Sequence, residues 1–316
     1  MSTQRRRSIC REQIMCAPQA IAVHSGPCKS TYRRRPFFAS WTLEKMVRLG
    51  QRFPVCLLLC TISFAVMGAP DPAASAQQDE IQVYTDDINK RGEFGLELHL
   101  NTTPQGRTTP DYPGEITNNH GFRFTPEFSY GLTSDVELGL YLPMLVDGGG
   151  DYHFVGVKYR LKWLPIRPKD DGEGWFLGTN SELSRVGYKF SESPWTTELR
   201  PIIGYKGKDW LFAFNPILDW DLSNGLQSWE PTFVPSVKLN REVLKGISLG
   251  AEYYSDLGKI GHIEPWDKQD NRLYATIDVD MKPLVFNFGV GRGLTEASDK
   301  WTIKAIIEVP INQLSK

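Results

Sequence analysis

The stretch GVKYRLKWLP, residues 156–165, decides the fold. It sets Val157, Tyr159, Leu161 and Trp163 against Lys158, Arg160 and Lys162 in strict alternation. A period of two places successive side chains on opposite faces of a β-strand. One face therefore carries a row of cations and the other carries large apolar groups. In a soluble sheet the cations meet water and the apolar groups a core. In a membrane barrel the arrangement is inverted, with cations in a wet lumen and apolar groups against lipid.

The same alternation recurs along the chain. EFGLELHLN (93–101) opposes Phe94, Leu96, Leu98 and Leu100 to Glu97 and His99. GFRFTPEFSYG (121–131) opposes Phe122, Phe124, Phe128 and Tyr130 to Arg123 and Glu127, and VELGLYLP (136–143) turns Glu137 away from Leu138, Leu140 and Leu142. Further strands are expected at 155–164, 175–184, 197–205, 210–220, 230–240, 246–254, 272–281, 284–292 and 301–310. The phase of 175–184 does not resolve. Most of these segments are near the 9–11 residues that a tilted spanning strand requires. After residue 76 no long apolar run and no sustained helical period interrupts them. The expectation is an all-β chain: an antiparallel up-and-down transmembrane β-barrel of about 12 strands.

Loop lengths and tryptophans agree with that reading. With both barrel ends on the periplasmic side, long connections at 102–120, 185–195, 221–229 and 255–270 face outward. Tight turns at 131–135, 206–209, 241–245 and 282–283 face inward, while the short outer loop 146–151 and the long inner turn 165–174 fit less well. Trp163, Trp175 and Trp210 fall at periplasmic strand ends, and Trp195, Trp220, Trp229 and Trp301 at outward ends. Amphipathic rings gather at the two membrane–water interfaces, so these seven are expected to form paired girdles. Pro126, Pro201, Pro216 and Pro235 lie inside candidate strands and imply bulges or kinks, because proline cannot donate to the ladder.

If the apolar face meets lipid, the other face lines the lumen. The lumen candidates are Glu97, His99, Arg123, Glu127, Glu137, Lys158, Arg160, Lys162, Glu198, Arg200, Asp219, Lys238, Glu252, Asp278, Lys304 and Glu308, with Asp280 beside them. Charges buried without partners are costly, so this set needs water or mutual pairing. Two readings stay open: a wet pore whose cationic stripe steers anions, and a salt-bridged plug that only holds the barrel together.

The charge balance divides the chain. Residues 1–76 hold 11 Lys+Arg and 3 Asp+Glu, leaving 25 basic and 34 acidic residues for the rest. All five cysteines, Cys10, Cys16, Cys28, Cys56 and Cys60, precede residue 61, which excludes a disulfide framework or thiol chemistry in the body. Residues 46–76 read as a signal peptide: Arg48 and Arg52, an apolar run over 55–67, then Ala74-Ser75-Ala76 as the cleavage motif. Residues 1–45 are expected to be an over-extended or disordered leader, 77–91 a polar periplasmic segment, 92–311 the barrel and 312–316 a tail.

YGLTSD (130–135), FNPILDW (214–220), LGAEYYSDLG (249–258) and GVGRGLTEASDKWTIKAIIEVP (289–310) resemble the outer-membrane β-barrel family of the MetA pathway of phenol degradation. The resemblance spans roughly 92–311 and implies an outer-membrane transporter for small compounds, aromatic ones among them. It brings no catalytic residues. One departure is the ending, where NQLSK follows Val309-Pro310-Ile311 in place of the terminal aromatic residue usual in such barrels.

The expected function is a passive channel for small solutes in the bacterial outer membrane. Its expected partners are membrane lipid and lipopolysaccharide, the barrel-assembly machinery and the solutes, with no nucleic acid, cofactor, metal or catalytic residue assigned. Alternatives are a lipid-modifying barrel enzyme, for which His99 beside Glu97 offers a weak base, and a structural or sensing barrel. For the last, DGGGDYH (147–153) offers Asp147, Asp151 and His153 to a cation, although the residues favour reading it as a flexible glycine loop.

Overall fold

The computed structural model describes residues 79–169, 172–309 and 311. The expected leader and signal peptide, which between them hold all five cysteines, together with residues 77–78 and the expected tail 312–316, lie outside the described residues. Twelve strands follow one another around a closed sheet. They are β1 (Phe94–Gln105), β2 (Phe122–Gly131), β3 (Val136–Tyr141 and Met144–Val146) and β4 (Tyr152–Phe154 and Gly156–Ile166). Next come β5 (Gly174–Val186), β6 (Trp195–Lys206), β7 (Trp210–Asn215 and Leu218–Asp221) and β8 (Thr232–Phe233 and Ser236–Leu244). The circuit ends with β9 (Ile247–Asp256 and Gly258–Lys259), β10 (Asp270–Met281), β11 (Leu284–Gly293) and β12 (Trp301–Val309).

Each strand pairs antiparallel with its neighbours in sequence, and β1 pairs with β12 from Leu96↔Val309 to Gln105↔Trp301. All twelve expected strands are present. Connections at one rim are long, as in 106–121 and 260–269, and those at the other are mostly tight. Two of these turns span two residues, 245–246 and 282–283, and in the first Gly246 takes φ +75°, a left-handed conformation that glycine adopts without steric cost.

The outer and inner faces are inverted relative to a soluble protein. Phe94, Phe128, Leu138, Tyr159, Leu183, Phe212, Leu249, Leu273, Phe288, Val290 and Ile303 are all exposed on the outside. Glu127, Glu137, Lys158, Arg160, Arg200, Glu252 and Lys304 are buried on the inside. A surface this apolar is insoluble in water and suits hydrocarbon, so the fold is that of a transmembrane barrel.

The prolines sit where the ladder breaks. Pro216 occupies the gap in β7 and Pro235 the gap in β8, and Val234 N–H bridges the two gaps to the Ile217 carbonyl at 2.9 Å. Pro201 lies in unbroken β6, between the residues that pair with the two halves of β7. Pro126 faces the break in β3, where Leu142 N–H reaches its carbonyl at 3.1 Å. At Pro216 and Pro235 the expected kinks are thus interruptions shared by adjacent strands, whereas Pro126 and Pro201 lie in continuous strands that face a neighbour's break.

Candidate functional site in the lumen

Residues 77–91 were expected to form a polar periplasmic segment; in the described part, Asp79 to Asn89 run into the barrel, while Lys90 and Arg91 are exposed. From β1 the chain turns back at the tight-turn rim and ascends the lumen. Ile81, Val83 and Tyr84 are almost fully buried and pack with Leu164, Phe176, Ile202, Ala213, Tyr254 and Tyr274 from the wall. The physical reason is that a closed barrel of this size leaves a central space, and this segment brings both apolar side chains and acids to fill it.

Ion pairs fasten the segment along its length. Asp79 meets Arg123 of β2 and, at 3.6 Å, Lys158 of β4. Glu80 lies 3.7 Å from Arg200 of β6, and the Ile81 carbonyl accepts from Lys304 of β12 at 2.9 Å. Gln82 donates to Glu97 at 3.1 Å. The Tyr84 ring lies under three cations, Arg200 at 4.5 Å, Lys162 at 4.8 Å and Arg160 at 5.5 Å, while its hydroxyl bonds Tyr141 at 2.6 Å. Asp86 pairs with Lys206 at 3.1 Å, and Asn89 N–H reaches Glu137 at 2.6 Å.

The remaining lumen charges pair across the wall. Arg160 lies between Glu127 at 2.5 Å and Glu137 at 2.6 Å, with Lys162 4.0 Å from Glu137. Arg200 grips Glu198 through two nitrogens, at 2.6 and 3.1 Å. Lys238 meets Glu252 at 3.2 Å and Asp278 at 3.0 Å, and Lys304 also bonds Glu252. Asp219 and Glu308 alternate in phase with the inward residues of β7 and β12, and Asp280 is at the rim, 3.9 Å from Lys282. His99 is fully buried, with Nε2 3.3 Å from Glu127. A small cavity of about 10 Å³ remains beside Ile81, lined by Asn101, Arg123, Arg272, Asp299 and Thr302 among others.

Trp195, Trp210 and Trp301 open their strands, Trp175 and Trp220 are one residue from a strand end, and Trp229 lies in a loop. Trp175, Trp210, Trp195, Trp229 and Trp301 are exposed, and Trp163 and Trp220 are half-buried. In the loop after β3, Asp147 accepts from Nε2 of His153, at the start of β4, at 2.8 Å, and this bond holds the Asp147 carboxyl below its ordinary range. Asp147 also accepts from the N–H groups of Gly149 and Asp151, so its carboxylate organises a glycine turn.

The sequence reading did not identify Glu182, Asn215 or any of the residues from Asp79 to Asn89 as lumen groups. Glu182 was hidden because β5 also turns Phe176 inward, which blurs the alternation. The segment itself carried one signal, the spacing of Ile81, Val83 and Tyr84 among acids.

No family model matches this chain, and no curated protein does. Among solved structures it is similar to an outer membrane channel from Pseudomonas putida F1, with 12% identity and a TM-score of 0.49 over 71% of this chain and 96% of that one. It is also similar to LpxR from Salmonella typhimurium, with 10% identity and a TM-score of 0.36 over 68% and 99% of the two chains. A third is the translocator domain of the autotransporter NalP from Neisseria meningitidis, at 12% identity and 0.32 over 70% and 88%. The barrel assignment stands on the strand pairing, independently of these likenesses.

Proposed function

We propose that the protein is an outer-membrane channel for small solutes, closed in the observed conformation by its own segment 79–91. The supporting observation is the pairing of that segment's acids with wall cations, Asp79 with Arg123 and Lys158, Glu80 with Arg200, and Asp86 with Lys206. A barrel that served only as a scaffold needs no separable filling, whereas a segment anchored at one end can leave. When it leaves, it takes three carboxylates out of the lumen and uncovers the faces of Arg123, Lys158 and Arg200. The open pore is then biased toward anions, because a narrow low-dielectric channel amplifies fixed charge.

Planar-bilayer recording of the mature protein and of a form lacking residues 79–88 tests this. The intact protein is expected to be mostly closed with brief steps, and the shortened one to conduct steadily with anion preference. Folded protein that is silent in both forms removes the channel reading. In that case the wall charges serve only to hold the barrel together.

A further inference from the structure

Glu308 of β12, Glu97 of β1 and Glu127 of β2 stand directly opposite one another in register, on three adjacent strands. Like charges at opposed positions destabilise a sheet. The protein compensates them unequally. Arg160 takes one oxygen of Glu127 at 2.5 Å, Gln82 donates to Glu97, and Glu308 has no ion pair among the described residues. His99 and Thr125 form the next opposed pair along the same two strands. Both are fully buried, and the Thr125 hydroxyl and His99 Nδ1 have no hydrogen-bond partner.

The Glu127 oxygen turned away from Arg160, Nε2 of His99 and an oxygen of Glu97 lie within 4.8 Å of one another. The His99 to Glu127 separation is 3.3 Å, long for a charge-assisted hydrogen bond. It equals the ligand–ligand edge of a tetrahedral ion with bonds of about 2.0–2.1 Å. Gln82 supplies a fourth position. Its amide nitrogen is 3.1 Å from the same Glu97 oxygen, and its buried carbonyl oxygen has no partner. Turning the amide over exchanges those two atoms without moving the chain.

We infer that Glu97, His99 and Glu127 form a site for a borderline divalent metal ion of the zinc type, with the Gln82 oxygen of segment 79–91 as its fourth ligand. Two carboxylates and one imidazole favour such an ion over calcium or magnesium, which take oxygen alone. A cation there neutralises the carboxylate row. It also ties the segment to the wall, since one ligand belongs to each of the segment, β1 and β2, with a second from β1. The site stands whether or not the lumen conducts.

The test is a titration of the chelator-stripped full barrel in detergent with Co²⁺, followed by visible absorbance, and then displacement by Zn²⁺. One equivalent is expected to bind. His99→Gln and Glu97→Gln each weaken binding by about a hundredfold or more, and Gln82→Ala, which removes the neutral ligand, weakens it by about tenfold. His153→Gln and His262→Gln, which alter the histidine–carboxylate pairs in the loops, leave it unchanged. Folding of each variant is read from its heat-modifiable gel mobility, and Glu97→Gln serves if His99→Gln does not fold. Absence of binding in the intact barrel, or binding that ignores both lumen variants, overturns the site.

Discussion

Asn215 of β7 brackets the backbone of Tyr84: Tyr84 N–H donates to its side-chain oxygen at 2.7 Å, and its amide nitrogen donates to the Tyr84 carbonyl at 3.1 Å. One side chain thus supplies both bonds that a neighbouring strand would supply. Asn215 is fully buried, so neither Tyr84 group has water as a substitute. Replacing it by leucine keeps the volume and removes both partners. Leaving buried polar groups unsatisfied costs about 1–3 kcal/mol. Asn215→Leu is therefore expected to raise the fraction of time the lumen is open by tenfold or more, measured as open probability in bilayers.

Gly131 ends β2 where segment 79–91 leaves the lumen. A β-carbon at this position would lie 2.1 Å from the Lys90 carbonyl oxygen and 2.7 Å from that of Asn89. Backbone atoms cannot yield as a flexible side chain can, so Gly131→Ala pushes the segment away from the wall. The expected outcome is faster cleavage between residues 79 and 91 by added protease, with the barrel core resistant. Cleavage rates equal to those of the parent would show that the segment absorbs the shift.

Glu252 serves two lysines, Lys238 and Lys304, and also accepts from Tyr254 at 2.6 Å. Glu252→Gln leaves two buried ammonium groups short of a counter-charge. Breaking one side of a buried ion pair costs about 3–5 kcal/mol. The variant is expected to lose its compact gel band at a clearly lower temperature than the parent. An unchanged transition would mean that Asp278 alone neutralises both lysines.

Phe288 faces outward near the middle of β11, and Trp210 faces outward at a strand end. Arginine on the lipid face costs about 2–4 kcal/mol at the bilayer midplane and about 0–1 near the interfaces. Phe288→Arg is therefore expected to reduce refolding into vesicles much more than Trp210→Arg. Equal effects would mean that the apolar band is not centred where the strands place it.

The wall was legible in the sequence because alternation is a local property. Lys158, Arg160 and Lys162 declare their face through Val157, Tyr159 and Leu161 alone. Segment 79–91 was not legible, because its burial depends on eight or more distant strands closing around it. Nothing within DEIQVYTDDINK says that Asp79 will meet Arg123 or that Asn215 will hold Tyr84. The carboxylate row had the same difficulty: Glu308 and Glu97 are neighbours only through the closure of β12 on β1.

That closure also fixes how the molecule meets others of its kind. With Leu96 to Gln105 bonded along Val309 to Trp301, the first and last strands leave no open seam between them for a foreign strand to join. Any assembly in the plane of the membrane must therefore be made by side chains, through exposed rings such as Trp175 and Trp210, or by the long loops.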